Sequence, residues 1–378
     1  MTLRRVVVAP DKFKGSLSAL EASVAIERGL RAAMPGALEI ARIPMADGGE
    51  GTVDAFLASG AERIVRTVRG PLGKPVEAAF ALDGKTAIVE MAAASGLELI
   101  APGRRAISRA TTYGTGELLV AALDAGAQRL VIGIGGSATS DGGAGMLQAL
   151  GVRLLDLAGH ELSPGGAALA GLSTIDLTHL DARIAKTKIE VAADVDNPLC
   201  GPRGASVVFG PQKGASESDV RALDVALAHF ADVAARALGA DRRNDPGAGA
   251  AGGLGFALLA FLAAGLRPGV DIVAELRGLP DALRGAEAVF TGEGRIDEQT
   301  LHGKTVAGVA RLARAAGVKT IVAFGGSIDS AAAGALRALG VSAIGIAADT
   351  MPREAAMRDA NALLEAAAKR IARSVLPG

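Results

Sequence analysis

Four glycine-rich turns in this chain each follow a short apolar run: PDKFKGS (10–16), MADGGEGT (45–52), GIGGSATSDGGAG (133–145) and FTGEGRIDEQTLHGKT (290–305). Glycine totals 51 of 378 residues, about twice the ~7% of ordinary chains, and follows no collagen period. Apolar run, glycine turn, then helix is the grammar of a parallel, doubly wound sheet. In such a sheet the turns after strands lie at the carboxyl edge, where ligands bind. Glycine there lets backbone N–H groups approach an anion, and a following helix N-terminus adds partial positive charge. Tight packing of strand against helix also selects glycine, so one turn alone means little. Four, each carrying Ser, Thr, Asp or Lys, favour a site.

Residues 5–9 read as a strand ended by Pro10, and Ser16 or Ser18 caps a helix to residue 33, with Glu21 completing a capping box. Pro35-Gly36 stops that helix, a strand follows at about 38–43, and a helix runs to about 59. Residues 62–69, 75–82 and 86–91 read as strands too closely spaced for crossover helices, so that part is antiparallel or mixed. Strands at 129–135 and 189–194 and an amphipathic helix over 216–238 follow, and 241–253 reads as a loop. The αβ alternation resumes after about 280 and closes with a helix over 353–374. The expected fold class is therefore α/β in two domains. Residues 1–67 and 280–378 form a discontinuous, doubly wound parallel-sheet domain, and 68–279 form an inserted mixed α/β domain.

Composition removes several function classes. Forty Lys+Arg balance 40 Asp+Glu for a net charge of +0, which argues against nucleic-acid and polybasic membrane surfaces. The single cysteine, Cys200, excludes an internal disulfide and a multi-cysteine zinc site. Aromatics are 3%, with no Trp, which argues against base-stacking platforms. The longest apolar stretch, 253–266, falls short of the ~20 residues of a membrane span. The N-terminal apolar run is too short for a secretory signal, and a cytoplasmic protein is expected.

No Walker P-loop and no G-x-G-x-x-G after the first strand occur, which weakens a dinucleotide-dependent dehydrogenase. A non-catalytic sensor of phosphorylated metabolites would use the same turns without ATP turnover. Only ten of the 40 basic residues are lysines, yet Lys12, Lys14, Lys213 and Lys304 sit in or near these motifs. A lysine on a mobile stem is a point charge suited to phosphate. Asp11, Asp47, Glu50, Asp141, Asp194, Glu293 and Asp297 stand at strand ends or in glycine turns. Mg²⁺ takes one or two carboxylates plus substrate phosphates, and an Asp can accept a hydroxyl proton during phosphoryl transfer. Helix capping is the plainer reading of Asp47 and Asp141. Capping explains Asp194 less well, because Pro198 follows closely. Of the four histidines only His302 lies in a motif.

The segments APDKFKGSLSA, ADGGEGT, EMAAASGLEL, YGTGELL, IGIGGSATSDGGAGM, AADVDNPL, FGPQKGAS, GAGAAGGLG and TGEGRIDEQTLHGK, in this order from residue 9 to 304, resemble those of bacterial glycerate kinases of the 2-kinase type. The resemblance implies a flavodoxin-like domain with a second α/β domain inserted. It implies transfer of the γ-phosphoryl of ATP to the 2-hydroxyl of D-glycerate, with the 3-hydroxyl as the alternative. ATP and Mg²⁺ are the expected cofactors. The expected partners are small molecules, with no nucleic acid and no membrane, and a homodimer is allowed. The chemistry of the side chains then assigns roles. Asp47, Asp194 and Lys14 are the catalytic candidates. Ser16, Gly135, Gly136, Ser137, Thr139, Asp141, Lys213, Arg295 and Lys304 are the substrate and phosphate candidates. Asp194, Glu293 and Asp297 are the metal candidates. Asp47 and Asp194 are expected at strand ends, facing one cleft from the two domains.

Overall fold

The computed structural model describes residues 4–101, 103, 106–301, 304–348 and 350–376. Its strands, in chain order, are β1 (Arg4–Val8), β2 (Leu38–Arg42), β3 (Glu62–Arg69), β4 (Pro75–Asp83), β5 (Thr86–Glu90), β6 (Arg129–Gly133), β7 (Arg153–Leu155), β8 (Thr174–Asp176), β9 (Lys188–Ala192), β10 (Gly265–Arg267), β11 (Ala288–Ile296), β12 (Thr320–Ile328) and β13 (Val341–Gly345). The chain divides into two units, Met1–Asp47 with Pro268–Gly378, and Gly48–Arg267.

In the first unit the β-branched run of β1 pairs in parallel with β2 on one side and β11 on the other. The whole sheet is parallel, in the order β13-β12-β11-β1-β2. Renumbered within the unit this is 2-1-3-4-5, the flavodoxin-like order, whose ligand crevice opens between β1 and β11. The helix Ala19–Ala33 starts where its capping box directs. The Ser18 backbone N–H donates to Glu21 Oε2 at 2.8 Å, and the Glu21 N–H donates to Ser18 Oγ at 3.2 Å. Its Ala22, Ala25, Ile26, Leu30 and Ala33 stripe has helical spacing and enters one core with Leu364, Ala367, Ala368 and Ala372 of the helix Ala360–Val375. Phe290 and Phe324 stack within that core, centroids 6.3 Å apart. The closing helix expected over 353–374 is two helices, Arg353–Arg358 and Ala360–Val375, broken at Asp359.

The second unit holds a six-stranded mixed sheet, β10-β9-β6-β5-β4-β3. Short turns force β3, β4 and β5 to be antiparallel, and β5, β6, β9 and β10 are parallel. The helix Glu217–Leu238 buries Leu223, Leu227, Phe230 and Ala234. Phe230 meets Phe256 edge-on at 5.5 Å, from the helix Ala250–Phe261. That helix is apolar all round and buried from Gly252 to Leu259. No helix among the described residues is long and apolar enough to cross a membrane.

The unit boundaries fall at 47/48 and 267/268, against 67/68 and 279/280 from the sequence pattern. Local alternation assigned the helix Thr52–Leu57 to the first sheet. Its Val53 N–H instead donates to Glu90 Oε1 of β5 at 2.7 Å, and β3 pairs with β4. In the helix Gly269–Leu276, Val270 lies against Gly308 of the helix Thr305–Ala315, so that segment goes with the first unit.

Candidate active site

β1 and β11 flank the switch point of the first sheet, and each carries a carboxylate to its carboxyl end. Pro10 ends β1, and the next residue, Asp11, donates its N–H to the Gly292 carbonyl of β11 at 2.9 Å. β11 continues through Gly292, Glu293 and Gly294 to Ile296, in register with β12. This corrects the expected turn: the TGEGRI segment is strand, and Gly292–Gly294 is not a phosphate loop. Gly292 makes room for the Phe324 carbonyl of β12, and Gly294 for the PDKFK segment. A Cβ on Gly294 would stand 2.9 Å from the Lys14 amide nitrogen.

Asp11, Asp47 and Glu293 act on one another electrostatically. Desolvation, then the charge of Asp47, pushes Asp11 up to about 7, against hydrogen bonds from the Thr305 hydroxyl and the Lys12 N–H. Desolvation also pushes Glu293 to about 7, with Asp47 and Asp297 adding to the rise and Thr300 and Lys304 opposing it. Carboxylates raised by burial and by one another at strand ends mark a candidate site. Asp47 is half-buried and caps no helix: the helix after it starts at Thr52 with Gly51 as its N-cap. Asp11 stood in the acidic inventory of the sequence but was passed over as a site residue. Its position one residue past Pro10, at the end of the first strand, was the available signal.

The other candidates in this unit are nearby in sequence but differently engaged. Lys14 is exposed. Ser16 spends its hydroxyl on the Phe13 carbonyl at 2.9 Å. Arg295 points outward, 75% exposed, and pairs with Asp297 at 3.1 Å. Asp297 also accepts from the Gln299 N–H at 3.0 Å, starting the helix Glu298–Leu301. Lys304 is the N-cap residue of the helix Thr305–Ala315, and its Nζ donates to Gln299 Oε1 at 3.0 Å. His302 lies outside the described residues.

In the second unit Gly135 and Gly136 are exposed just past the end of β6. The turn is pinned by N–H donors from Met91 to Gly133 O, Leu97 to Gly136 O and Ala138 to Ser95 O, each at 2.9 Å. Ser137, Thr139 and Asp141 then turn into the interior. Two of the expected phosphate ligands, Asp141 and Lys213, are buried. Asp141 is fully buried. Its Oδ2 accepts from the Thr112 N–H, the Thr112 hydroxyl and the Gly145 N–H, and its Oδ1 from the Gly143 N–H. It ties two helix starts together, which is the capping reading. Lys213 is also buried, its Nζ donating to the Thr139 carbonyl at 2.7 Å, and desolvation lowers it to about 7. Both charges are engaged within the loop. The loop is closed from another side by Gly252, at φ +71°, where a Cβ would stand 2.0 Å from the Thr139 carbonyl oxygen.

Asp194 is exposed, two residues past the end of β9. The expected metal set is thus split, Asp194 in the second unit and Glu293 and Asp297 in the first. Among the described residues no group of three or more His, Cys, Asp or Glu side chains is arranged to hold a metal ion.

A flavodoxin-like sheet with carboxylates at its switch point defines an α/β protein with a ligand crevice at the carboxyl ends of its strands. The glycerate kinase family model matches residues 6–376. The chain is 52% identical over 375 residues to a glycerate kinase of Bacillus subtilis (strain 168), covering 98% of this chain and 97% of that one. It is 52% identical over 314 residues to a glycerate 2-kinase of Escherichia coli (strain K12), 82% of each. A crystal structure described as glycerate kinase 2 from Salmonella typhimurium LT2 superposes with TM-score 0.88 at 43% identity, covering 99% of this chain and 98% of that one. The chain belongs to the glycerate kinase family.

Proposed function

We propose that this protein transfers the γ-phosphoryl group of ATP to the 2-hydroxyl of D-glycerate, giving 2-phosphoglycerate and ADP. The carrying observation is the group Asp11, Asp47 and Glu293 at the switch point of a chain in this family. The relative named a glycerate 2-kinase supports the 2-hydroxyl over the 3-hydroxyl. Phosphoryl transfer is mainly positioning and charge stabilisation. Asp47 accepts the hydroxyl proton, the alkoxide oxygen attacks the γ-phosphorus, and the bond to the ADP oxygen breaks. Lys14 and Lys304 offset phosphate charge, and Arg295 is the candidate partner for the glycerate carboxylate. Gly135 and Gly136 are the backbone anion donors of the second unit, and Asp194 is its candidate carboxylate. The side chains acting on Glu293 include the carboxylates Asp47 and Asp297, hard oxygen donors of the kind Mg²⁺ takes. Glu293 would hold it, and the ion would supply neutralisation of the β- and γ-phosphates. We read the protein as a cytoplasmic enzyme of small molecules.

The test is ADP release at saturating MgATP with and without D-glycerate, with the product read by ³¹P NMR. A 2-phosphate couples to one proton and gives a doublet, and a 3-phosphate couples to two and gives a triplet. Equal ADP release in both arms sinks the reading, and a triplet moves it to the 3-hydroxyl.

A further inference from the structure

Two threonines, one on each side of residues 302–303, hold two of the three clustered carboxylates. Thr300 and Thr305 are both fully buried. The Thr300 hydroxyl accepts from the Asp297 N–H at 3.0 Å and donates to Glu293 Oε1 at 2.6 Å. With the amide on one lone pair of the hydroxyl, its single proton goes to Glu293 whenever that carboxylate is ionised. The Thr305 hydroxyl donates to Asp11 Oδ2, while Asp11 Oδ1 takes the Lys12 N–H at 2.6 Å. Thr305 opens the helix Thr305–Ala315, so its backbone is fixed as well. A β-branched side chain has few χ1 choices, and a hydroxyl-to-carboxylate bond of this kind is short and strongly directional. Asp11 and Glu293 come from strands far apart in the chain, yet both are gripped by the segment 297–305.

We propose that Thr300 and Thr305 are positioning residues of the phosphoryl-transfer site, fixing the orientation of Glu293 and Asp11 at the switch point. The inference rests on the proposed function and adds to it a pair of uncharged residues that act through the carboxylates. It also makes Asp11 a working member of the cluster.

The experiment compares Thr300→Val, Thr305→Val, Thr300→Ser and Thr305→Ser with the wild type. Valine keeps the shape and removes the proton, and serine keeps the proton. Each valine variant is expected to lose about 10–100-fold in kcat, the usual scale for groups that orient a ligand side chain. KM for ATP and D-glycerate should stay within about threefold, and each serine variant should recover most of kcat. A lowered melting temperature with kcat of the folded enzyme unchanged would mean a structural role only and overturn the proposal. Should the valine variants not fold, Thr305→Ala in an Asp11→Asn background gives the answer. If Thr305 acts through Asp11, the second substitution adds nothing to the loss in kcat, and additive losses overturn the proposal. A wild type without glycerate-dependent turnover would instead reject the functional reading, a separate outcome.

Discussion

Among the acidic residues, burial and its four donors mark Asp141 as one that holds the fold. Asp141 gives all its acceptor capacity to four donors inside the protein. In Asp141→Asn an NH₂ group would face N–H donors, and an unmet buried donor costs ~1–3 kcal/mol. That variant is expected to lose stability in urea titration by this amount while the folded fraction keeps its kcat. Asp47 is half-buried. It caps no helix, and it raises both Asp11 and Glu293. Asp47→Asn is expected to melt like the wild type and to lose at least ~100-fold in kcat. Asp194→Asn, at an exposed strand end, is expected to do the same. Either variant retaining more than about a tenth of wild-type kcat at saturating substrates removes that residue from the chemistry. These differences were not legible in sequence, where Asp47 and Asp141 occupy the same kind of glycine turn. What separates them is the position of Thr112, 29 residues away in the chain.

The helix start at Ser18 was legible because its capping box closes within three residues, and the helix from Ser216 by its amphipathic pattern. The helix start at Thr52 was legible from the turn before it, but not the Glu90 carboxylate, 37 residues on, that takes its Val53 N–H. The loop 137–141 is a similar case, held by Lys213 and roofed by Gly252. Gly252→Ala would meet the Thr139 carbonyl and a left-handed φ at once. It is expected to lower the melting temperature by more than a surface Gly→Ala control does. Buried charge also sets the pH response. Asp11 and Glu293 keep their protons to about pH 7 when folded, whereas the unfolded chain releases them near ~4. The folded state binds more protons in that window, so stability falls as pH rises through it. Lys213 releases its proton at about pH 7 when folded, against ~10.4 unfolded. There the unfolded chain binds more, so stability rises from about pH 7 upward. Denaturation free energies against pH, in metal-free buffer, should show both limbs. Glu293→Gln should flatten the first, and Lys213→Met the second. A rising limb that survives Lys213→Met assigns it to another group.

At the scale of the molecule each unit has its own core. Val89, Leu118, Ile132, Phe230, Phe256 and Leu258 all belong to the core of the second unit, which is a continuous stretch of chain. The excised segment 48–267 is therefore expected to show dispersed amide resonances and one cooperative thermal transition. It should have no kinase turnover, since Asp47 and Glu293 are outside it. A collapsed spectrum without cooperative melting would mean the core needs the rest of the chain. By itself the sequence determined which runs are strands, where capping boxes start helices, and that glycine turns follow the strands. Those features answer to sterics and hydrogen bonding within a few residues. Its whole-chain likeness to a family added the function. Only the tertiary structure decided that β1 lies beside β11, that TGEGRI is strand, and that Asp11 joins Glu293. It alone turned Asp141 and Lys213 inward. The Thr291 hydroxyl reaches the Ala9 carbonyl across 282 residues, and packing and desolvation between such distant segments set these outcomes. No window of sequence contains both partners.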